Sequence, residues 1–328
     1  VSNQTALNAV TGQEAGITFP PREDDAHKGE FGHVLVVGGS LGKAGAAGLA
    51  GMAALNAGAG LVTVACPKSI QATVAGFAPE LMTEGLPETE EGSISMAADA
   101  RVDALLSGKD AVVLGPGISG NEQTARFVRR MVTQSSLPLV LDADGLNAFS
   151  GHYGELQSRG EAAPLRVLTP HPGEAARLLG VSAQQINAER REVAQRIAMG
   201  TGSCVVLKGH RTIVAGVSGE TWINMSGNPA LAKGGSGDVL AGIIGAALAR
   251  KRGPRLPPSP ASESSNTSAF LKDLNVAGAV YLHGLAGDLA RDRLHEHTVL
   301  ATDVVESLTD AFRECQLQTD RGLFYLQR

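Results

Sequence analysis

The feature that most constrains the fold of this chain is a series of short apolar runs that do not alternate with polar residues. Val and Leu fill most positions of these runs, as expected for strands that are buried on both faces. Segments with helical spacing lie between the runs, and this alternation favours an α/β fold with a mostly parallel sheet and helices on both faces. The runs are residues 33–37, 61–65, 111–114, 139–141, 167–168, 204–207 and 212–215. The predicted helices are residues 44–57, 97–106, 122–132, 173–179, 188–199, 238–250, 273–291 and 302–312.

The composition excludes several classes of protein. The 328 residues include 28 basic and 33 acidic side chains, and a net charge of −5 is too acidic for a general nucleic-acid binder. Disorder of the whole chain is excluded because 43% of the residues are hydrophobic. No run favours a membrane span, and no basic region followed by an apolar block marks a signal peptide. The three cysteines, Cys66, Cys204 and Cys315, form no metal-ligand pattern and indicate reduced thiols in a cytoplasmic protein without a membrane partner.

The chain divides into one large domain and three segments of different character. Residues 1–25 are mostly polar and are predicted to be an N-terminal lead-in, and residues 26–313 form the domain. Residues 251–268 are rich in Pro, Ser, Arg and Asn, so this segment cannot bury much apolar surface and is predicted to be a flexible insertion. Residues 314–328 are predicted to be a C-terminal tail.

The strongest local motif is a glycine-rich segment that opens directly into an apolar helix. Gly234, Gly235 and Gly237 precede that helix, and bare N–H groups at a helix N-terminus suit a phosphate. Asp238 falls in the first helical turn, where it is either a helix cap or a base that takes a proton from a hydroxyl group. Capping alone does not require so many glycines, and we therefore favour the base.

Two other glycine-rich turns resemble known motifs less closely. Residues 115–120 match the dinucleotide pattern G-x-G-x-x-G, and Asp142 after the next strand stands where a ribose-binding acid could lie. Pro116 inside the turn and the two strands that precede it favour an ordinary tight turn instead. Residues 38–43 fit neither a hydrolase elbow nor a phosphate loop, and we interpret them as a turn that lets a substrate approach the sheet.

Polar residues follow two further strands. Residues 169–174 start a helix, so His171 and Glu174 are either a capped helix start or groups that face a substrate and metal-bound water. Residues 208–212 join two apolar strands, and their basic side chains suit nucleotide phosphates about as well as they suit a plain hairpin turn.

Taken in order, these segments resemble the ADP- or ATP-dependent (S)-NAD(P)H-hydrate dehydratases of the ribokinase-like superfamily. The resemblance spans about residues 26–313 and implies a ribokinase-like three-layer fold. Ser236 departs from the family's commoner Thr but keeps the hydroxyl group. The matching stretches are residues 26–39, 45–47, 57–62, 79–83, 115–117, 142–147, 169–174, 208–212, 234–238 and 281–284.

The resemblance also implies a role for each matching residue. Gly234, Gly235, Ser236 and Gly237 would form the anion hole for the transferred phosphate, and Asp238 would be the catalytic base. The hydrated nicotinamide substrate would contact Ala47, Gly117, His171 and Asp238. The adenine nucleotide would bind Lys208, Gly209, His210, Arg211, Thr212 and Gly237. Glu174 would organise Mg²⁺ indirectly, at the place where related kinases have an acidic residue.

The activity implied by the resemblance is dehydration of (S)-NAD(P)H hydrate at the expense of ADP or ATP, a repair of damaged nicotinamide nucleotides. The implied cofactor is Mg²⁺, and the resemblance implies a homo-oligomer such as a tetramer. The epimerase domain often fused to this family is not seen in the sequence, so we expect a separate NAD(P)HX epimerase to act with this chain. The alternatives are a ribokinase-like kinase of a small alcohol or vitamin precursor, a Rossmann NAD oxidoreductase built on residues 115–120, and a catalytically silent nucleotide sensor.

Overall fold

The computed structural model describes residues 7–157, 163–251 and 265–326. A single ten-stranded sheet runs through the molecule in the order β1-β10-β9-β8-β7-β6-β5-β2-β3-β4. Among the described strands, β9 alone runs antiparallel to its neighbours β8 and β10, so the predicted mostly parallel sheet is confirmed. The strands are β1 (Leu7–Val10), β2 (His33–Val37), β3 (Leu61–Pro67), β4 (Met82–Leu86), β5 (Ala111–Leu114), β6 (Leu139–Leu141), β7 (Arg166–Leu168), β8 (Cys204–Leu207), β9 (Ile213–Ala215) and β10 (Thr221–Asn224).

Helices cover both faces of this sheet, as the unalternating strands require. Val34 and Val36 of β2 lie in one apolar cluster, whereas Leu35 and Val37 point into a second cluster on the opposite face. The helices are α1 (Gly12–Thr18), α2 (Ala44–Asn56), α3 (Gln71–Ala75), α4 (Asp99–Leu106), α5 (Glu122–Gln134), α6 (Asp144–Asn147), α7 (Pro172–Leu179), α8 (Ala183–Ala188), α9 (Arg190–Thr201), α10 (Ser236–Ala249), α11 (Ser265–Arg293), α12 (Ala301–Glu306) and α13 (Leu308–Leu326). The first cluster packs under α2, α10 and α11, and the second under α5, α7 and α9.

Small residues let α2 and α10 approach each other closely above the sheet. A Cβ at Gly242 of α10 would lie 2.2 Å from the carbonyl oxygen of Ala50 in α2. The Gly- and Ala-rich segment after residue 44 is therefore a packed helix. Among the described helices, none is long and apolar enough to cross a bilayer. All three cysteines are buried, and none forms a disulfide bond with a described residue.

The N-terminal segment differs from the predicted lead-in. Strand β1 pairs in parallel with β10, and α1 packs against α11 so closely that a Cβ at Gly278 would lie 2.2 Å from the Thr18 hydroxyl oxygen. Sequence patterns missed β1 because an edge strand with exposed positions has no continuous apolar run. The sequence patterns also did not predict strands β4 and β10.

The C-terminal half is more helical than predicted. Helix α11 begins at Ser265, eight residues before the predicted start at residue 273, and the predicted 302–312 helix is divided into α12 and α13. Cys315 lies in α13 and is buried, so the predicted tail begins inside a packed helix. Within the predicted 251–268 insertion, residues 252–264 lie outside the described residues, and residues 265–268 form the first turn of α11.

Candidate active site

Three parallel strands end at one edge of the sheet, and the residues that follow them form a polar cluster. Asp142, Thr169 and Lys208 come directly after β6, β7 and β8. The Thr169 hydroxyl donates a hydrogen bond of 2.7 Å to Oδ1 of Asp142, and Nζ of Lys208 donates another of 2.7 Å to the same oxygen. Asp142 is only 1% exposed, and its Oδ2 has no hydrogen-bond partner among the described residues. One carboxylate oxygen at the centre of the cluster therefore remains available to a ligand.

The Lys208 ammonium group lies among carboxylates. Its Nζ is 3.6 Å from Oε2 of Glu174 as well as 2.7 Å from Asp142. Burial disfavours the charged form of Lys208, but the two carboxylates outweigh this effect and raise its pKa above the usual value. Lys208 therefore stays protonated and supplies a fixed positive charge inside the site.

The glycine-rich loop brings the N-terminus of α10 against this cluster. Gly235 has a left-handed φ of 93°, and a Cβ there would lie 2.7 Å from Cδ1 of Leu49. A Cβ at Gly237 would lie 3.4 Å from Nζ of Lys208 and 3.8 Å from Oδ2 of Asp142. The first N–H groups of a helix have no partner within it, and they attract an anion. Lys208 and the start of α10 thus enclose a position suited to a phosphoryl group.

Asp238 lies in the first turn of α10, beside the same cluster. Burial and the negative charge of Asp142 raise its pKa from 3.8 to about 7, although the Lys208 ammonium opposes this shift. A carboxylate with a pKa near 7 accepts a proton far more readily than an ordinary aspartate does. This geometry makes Asp238 suited to general-base chemistry at neutral pH.

A buried histidine of α11 contacts the glycine-rich loop at Ser236. Nε2 of His283 on α11 lies 3.3 Å from the Ser236 hydroxyl oxygen. Burial lowers the pKa of His283 to about 4, so its ring is neutral at pH 7. The prediction quoted residues 281–284 without giving His283 a role, and only the helix packing reveals this contact.

His171 and Glu174 together cap the start of α7. Nδ1 of His171 accepts hydrogen bonds from the N–H groups of Gly173 (2.9 Å) and Glu174 (3.3 Å). Glu174 in turn accepts a hydrogen bond of 2.7 Å from the His171 N–H. This capping box holds the His171 ring in place, and half of the side chain stays exposed. Partial burial lowers the pKa of His171, which favours the neutral ring. Both predicted interpretations are compatible with this arrangement, because the cap holds His171 at the site and Glu174 beside Lys208.

Residues 208–212 form the predicted tight connection between β8 and β9. Gly209 has a φ of 140°, and Arg211 has a left-handed φ of 56°. Arg190 of α9 holds this loop: Nη2 donates to the carbonyl oxygens of Leu207 (3.0 Å) and Lys208 (3.2 Å), and Nη1 donates to that of His210. Sequence reasoning missed Arg190, because no local pattern indicates which loop a distant helix will contact.

Ala47 lies in the first turn of α2, and Gly117 lies in the turn after β5, close to Lys43 and Ala46. Ala47 is fully buried, so no atom of this residue is exposed to a ligand in this structure. Gly117 has a φ of 62°, and a Cβ there would lie 2.9 Å from the Lys43 carbonyl oxygen. Asp144, to which the sequence analysis assigned no role, lies near this turn. Its carboxylate accepts hydrogen bonds from Nζ of Lys43 (3.0 Å) and from the N–H of Ser119 (3.2 Å).

The residues present fit a magnesium ion that is shared with phosphates. Among the described residues, no group of three or more His, Cys, Asp or Glu side chains could hold a metal by itself. Mg²⁺, however, typically binds one or two carboxylates together with substrate phosphates and water. The free Oδ2 of Asp142 and the nearby Glu174 carboxylate match that donor set.

Comparisons with known proteins agree with this geometry. Residues 34–310 match the family model described as NAD(P)H-hydrate dehydratase. The ADP-dependent (S)-NAD(P)H-hydrate dehydratase of Neisseria meningitidis is 37% identical, over 84% of this chain and 82% of that protein. A Bacillus subtilis ADP/ATP-dependent NAD(P)H-hydrate dehydratase, co-crystallised with ATP/Mg²⁺, superposes with a TM-score of 0.76 and 28% identity, covering 96% of this chain and 100% of that one.

Longer relatives match as well. The bifunctional NAD(P)H-hydrate repair enzyme Nnr of Moorella thermoacetica is 41% identical over 302 residues, which are 92% of this chain and 53% of that protein. The chain thus spans about half the length of the bifunctional relatives that it matches. The sheet and its two helical layers have the ribokinase-like fold, as the resemblance implied. Because the family model matches most of the chain and the fold is shared, this chain belongs to the NAD(P)H-hydrate dehydratase family.

Proposed function

We propose that this chain dehydrates (S)-NAD(P)H hydrate to NAD(P)H, using ADP or ATP as phosphoryl donor and releasing phosphate with AMP or ADP. The observation that carries the proposal is Asp238, a carboxylate with a pKa of about 7 in the first turn of a helix that begins in a glycine-rich anion site. The names of the relatives from N. meningitidis and B. subtilis support the reaction.

The reaction starts with a proton transfer to Asp238. The hydrated ring has a hydroxyl group that leaves poorly as hydroxide, so it is first converted into a phosphate ester. Asp238 takes the hydroxyl proton while the oxygen attacks the terminal phosphoryl group and the nucleotide leaves as AMP or ADP. The ring nitrogen then expels the phosphate, and loss of a proton from the neighbouring ring carbon restores the double bond.

The anion site stabilises the phosphoryl group during this transfer. Gly234, Gly235, Ser236 and Gly237 direct N–H groups at its oxygens, and the Lys208 ammonium group compensates the negative charge. Such fixed dipoles need no reorganisation during the reaction, and loss of one donor in an oxyanion hole typically costs about 10²–10³ in rate. The neutral His283 ring keeps Ser236 in position.

We assign two sets of residues to the two substrates. The adenine nucleotide contacts Lys208, Gly209, His210, Arg211, Thr212 and Gly237, and the hydrated nicotinamide contacts Ala47, Gly117, His171 and Asp238. Asp142 and Glu174 would hold Mg²⁺ against the phosphates of the donor, where the ion supplies positive charge to the phosphoryl oxygens. We further propose a cytoplasmic homo-oligomer that acts together with an NAD(P)HX epimerase.

A coupled assay tests the reaction. Purified protein, NADH hydrate, Mg²⁺ and ADP or ATP are mixed, and orthophosphate and the absorbance of the reduced ring are followed in the same cuvette. We expect one phosphate per reduced ring and no recovery without the phosphoryl donor. Recovery without a donor, or phosphate release unconnected to ring recovery, would contradict the dehydratase.

The same assay addresses the kinase alternative. A kinase of a small alcohol would transfer phosphate to that alcohol and leave a stable phosphate ester, without free phosphate and without recovery of the reduced ring. Asp238→Asn serves as the control protein, because it keeps the shape of the side chain and loses the base.

A further inference from the structure

One cavity of the described structure lies away from the active site. It has a volume of about 340 Å³ and lies where α1 and α13 meet the C-terminal ends of α2 and α10. Arg250, at its edge, follows the last residue of α10, whereas Asp238 lies in the first turn of the same helix. At about 1.5 Å per residue, the cavity is roughly 18 Å from Asp238 along the helix axis.

Two arginine side chains give this cavity a positive charge. Cζ of Arg22 lies 3.9 Å above the centre of the Phe31 ring, and Cζ of Arg250 lies 5.4 Å from the same ring. Neither side chain forms an ion pair with any described residue. Nε of Arg250 is buried without a hydrogen-bond partner in the described part of the chain. Burial, followed by the charge of Arg22, lowers the pKa of Arg250.

This arrangement leaves positive charge uncompensated. Arg250 is partly buried, whereas Arg22 is exposed, and a cation that is removed from water is normally paired because its desolvation is otherwise unfavourable. The C-terminal ends of α2 and α10 supply only about half a negative charge each. One of the Arg22 donors already binds there: Nη2 donates a hydrogen bond of 3.0 Å to the carbonyl oxygen of Gly58, just after α2. The remaining guanidinium donors are suited to an external anion.

The other walls of the cavity are mostly apolar, although Asn56 and Gln316 also line it. Ala15, Phe19, Ala57 and Phe312 line it, and the Phe19 and Phe312 rings meet edge to face with centres 5.3 Å apart. Aromatic walls favour a flat apolar body, whereas the planar guanidinium groups match the two oxygens of a carboxylate. A volume of about 340 Å³ suits a small organic molecule.

We propose that this cavity is a second ligand site, which binds a small aromatic carboxylate with its carboxylate on Arg250 and Arg22 and its ring against Phe19 and Phe312. The site is independent of the proposed reaction, since it shares no residue with the nucleotide or nicotinamide positions. ADP and the aromatic carboxylate should therefore bind the same molecule at the same time.

Calorimetry with 1-naphthoate tests the site, with 1-naphthamide as the uncharged probe of the same shape. We expect naphthoate to bind the full chain with a dissociation constant of about a millimolar or below, as its size allows. Loss of a charge-assisted hydrogen bond typically weakens binding at least about tenfold, and we expect that loss both for naphthamide and for Arg250→Gln. Saturating ADP should leave naphthoate binding unchanged.

Arg313→Gln is the matched control, because Arg313 lies exposed on α13 and, within the described part of the chain, forms an ion pair with Asp310 alone. It should bind naphthoate as the unmodified protein does. If Arg250→Gln does not fold, Arg250→Lys keeps the charge but loses the planar fork, and we expect intermediate affinity. Equal binding of naphthamide, unchanged binding by the Arg250 variants, displacement by ADP, or absence of binding would each overturn the proposal.

Discussion

Replacing Asp238 with Asn is expected to stabilise the protein above neutral pH and to remove turnover. Folding raises the pKa of this carboxyl group from 3.8 to about 7, so the folded protein disfavours the ionised form. The difference corresponds to roughly 4 kcal/mol between the two protonation states. The stability contributed by the protonated carboxyl is complete below pH 3.8 and is lost as the pH rises through about 7. Asn never ionises and therefore avoids this loss.

The gain should appear in thermal unfolding. With an unfolding entropy of about 2.1 cal/mol/K per residue, roughly 4 kcal/mol corresponds to a Tm increase of about 6 °C at about pH 8. At about pH 5.5 the gain should be about 2 kcal/mol smaller, because the pH then lies between the two pKa values. Turnover should fall about 10²–10⁴-fold, the usual effect of losing a positioned base.

Calorimetry or dichroism at the two pH values measures this difference. Asp292→Asn is the control, since Asp292 is an exposed carboxylate at the end of α11 and its substitution should leave the Tm unchanged at both. A Tm gain for Asp238→Asn that is equal at both pH values, or no gain at the higher one, would refute the argument from burial and like charge. Turnover like that of the unmodified enzyme would remove Asp238 from the mechanism.

Three further predictions concern the same site. In the unmodified enzyme, kcat/KM should rise about tenfold between about pH 6 and about pH 8, because Asp238 acts deprotonated and its pKa is about 7; a flat profile would contradict the base role. Arg190→Lys should raise KM for ADP more than KM for the hydrate, because the compact ammonium group of lysine lacks the planar fork that reaches three carbonyl groups at the 208–212 loop, the proposed nucleotide site; steady-state kinetics with each substrate varied would show an equal change in both if the role were purely structural. Lys208→Met should destabilise the fold by about 3–5 kcal/mol, and adding Asp142→Asn should recover much of that loss; denaturant unfolding of the two single variants and the double variant checks the coupling.

The sequence predicted the inner part of the sheet well, but it missed its margins. β2 and β5 were recognised because both of their faces are buried, which forces continuous apolar runs on the local sequence. β1 and β4 have partly exposed positions and lack such runs, so partner strands rather than local composition fix their place. In the same way, the N-terminal 25 residues read as polar although α1 packs tightly on α11.

For the candidate site, the sequence indicated an anion position and a candidate base at residues 234–238, because glycines and an acidic first turn are local signals. Local sequence also identified Lys208, Glu174 and Asp142 as strand-end or helix-start residues. It could not show that their charged groups meet, since that depends on the order of β6, β7 and β8 in the sheet.

What the sequence determined by itself was therefore the type of fold and the chemical character of each strand end. The tertiary structure decided the properties that arise between distant segments. The pKa of Asp238 depends on burial and on Asp142, which lies nearly a hundred residues earlier, and the loop of residues 208–212 depends on Arg190 from another helix. Hydrophobic periodicity acts over a few residues and is written locally, whereas electrostatic interaction and desolvation depend on distances in space, which only the folded chain sets.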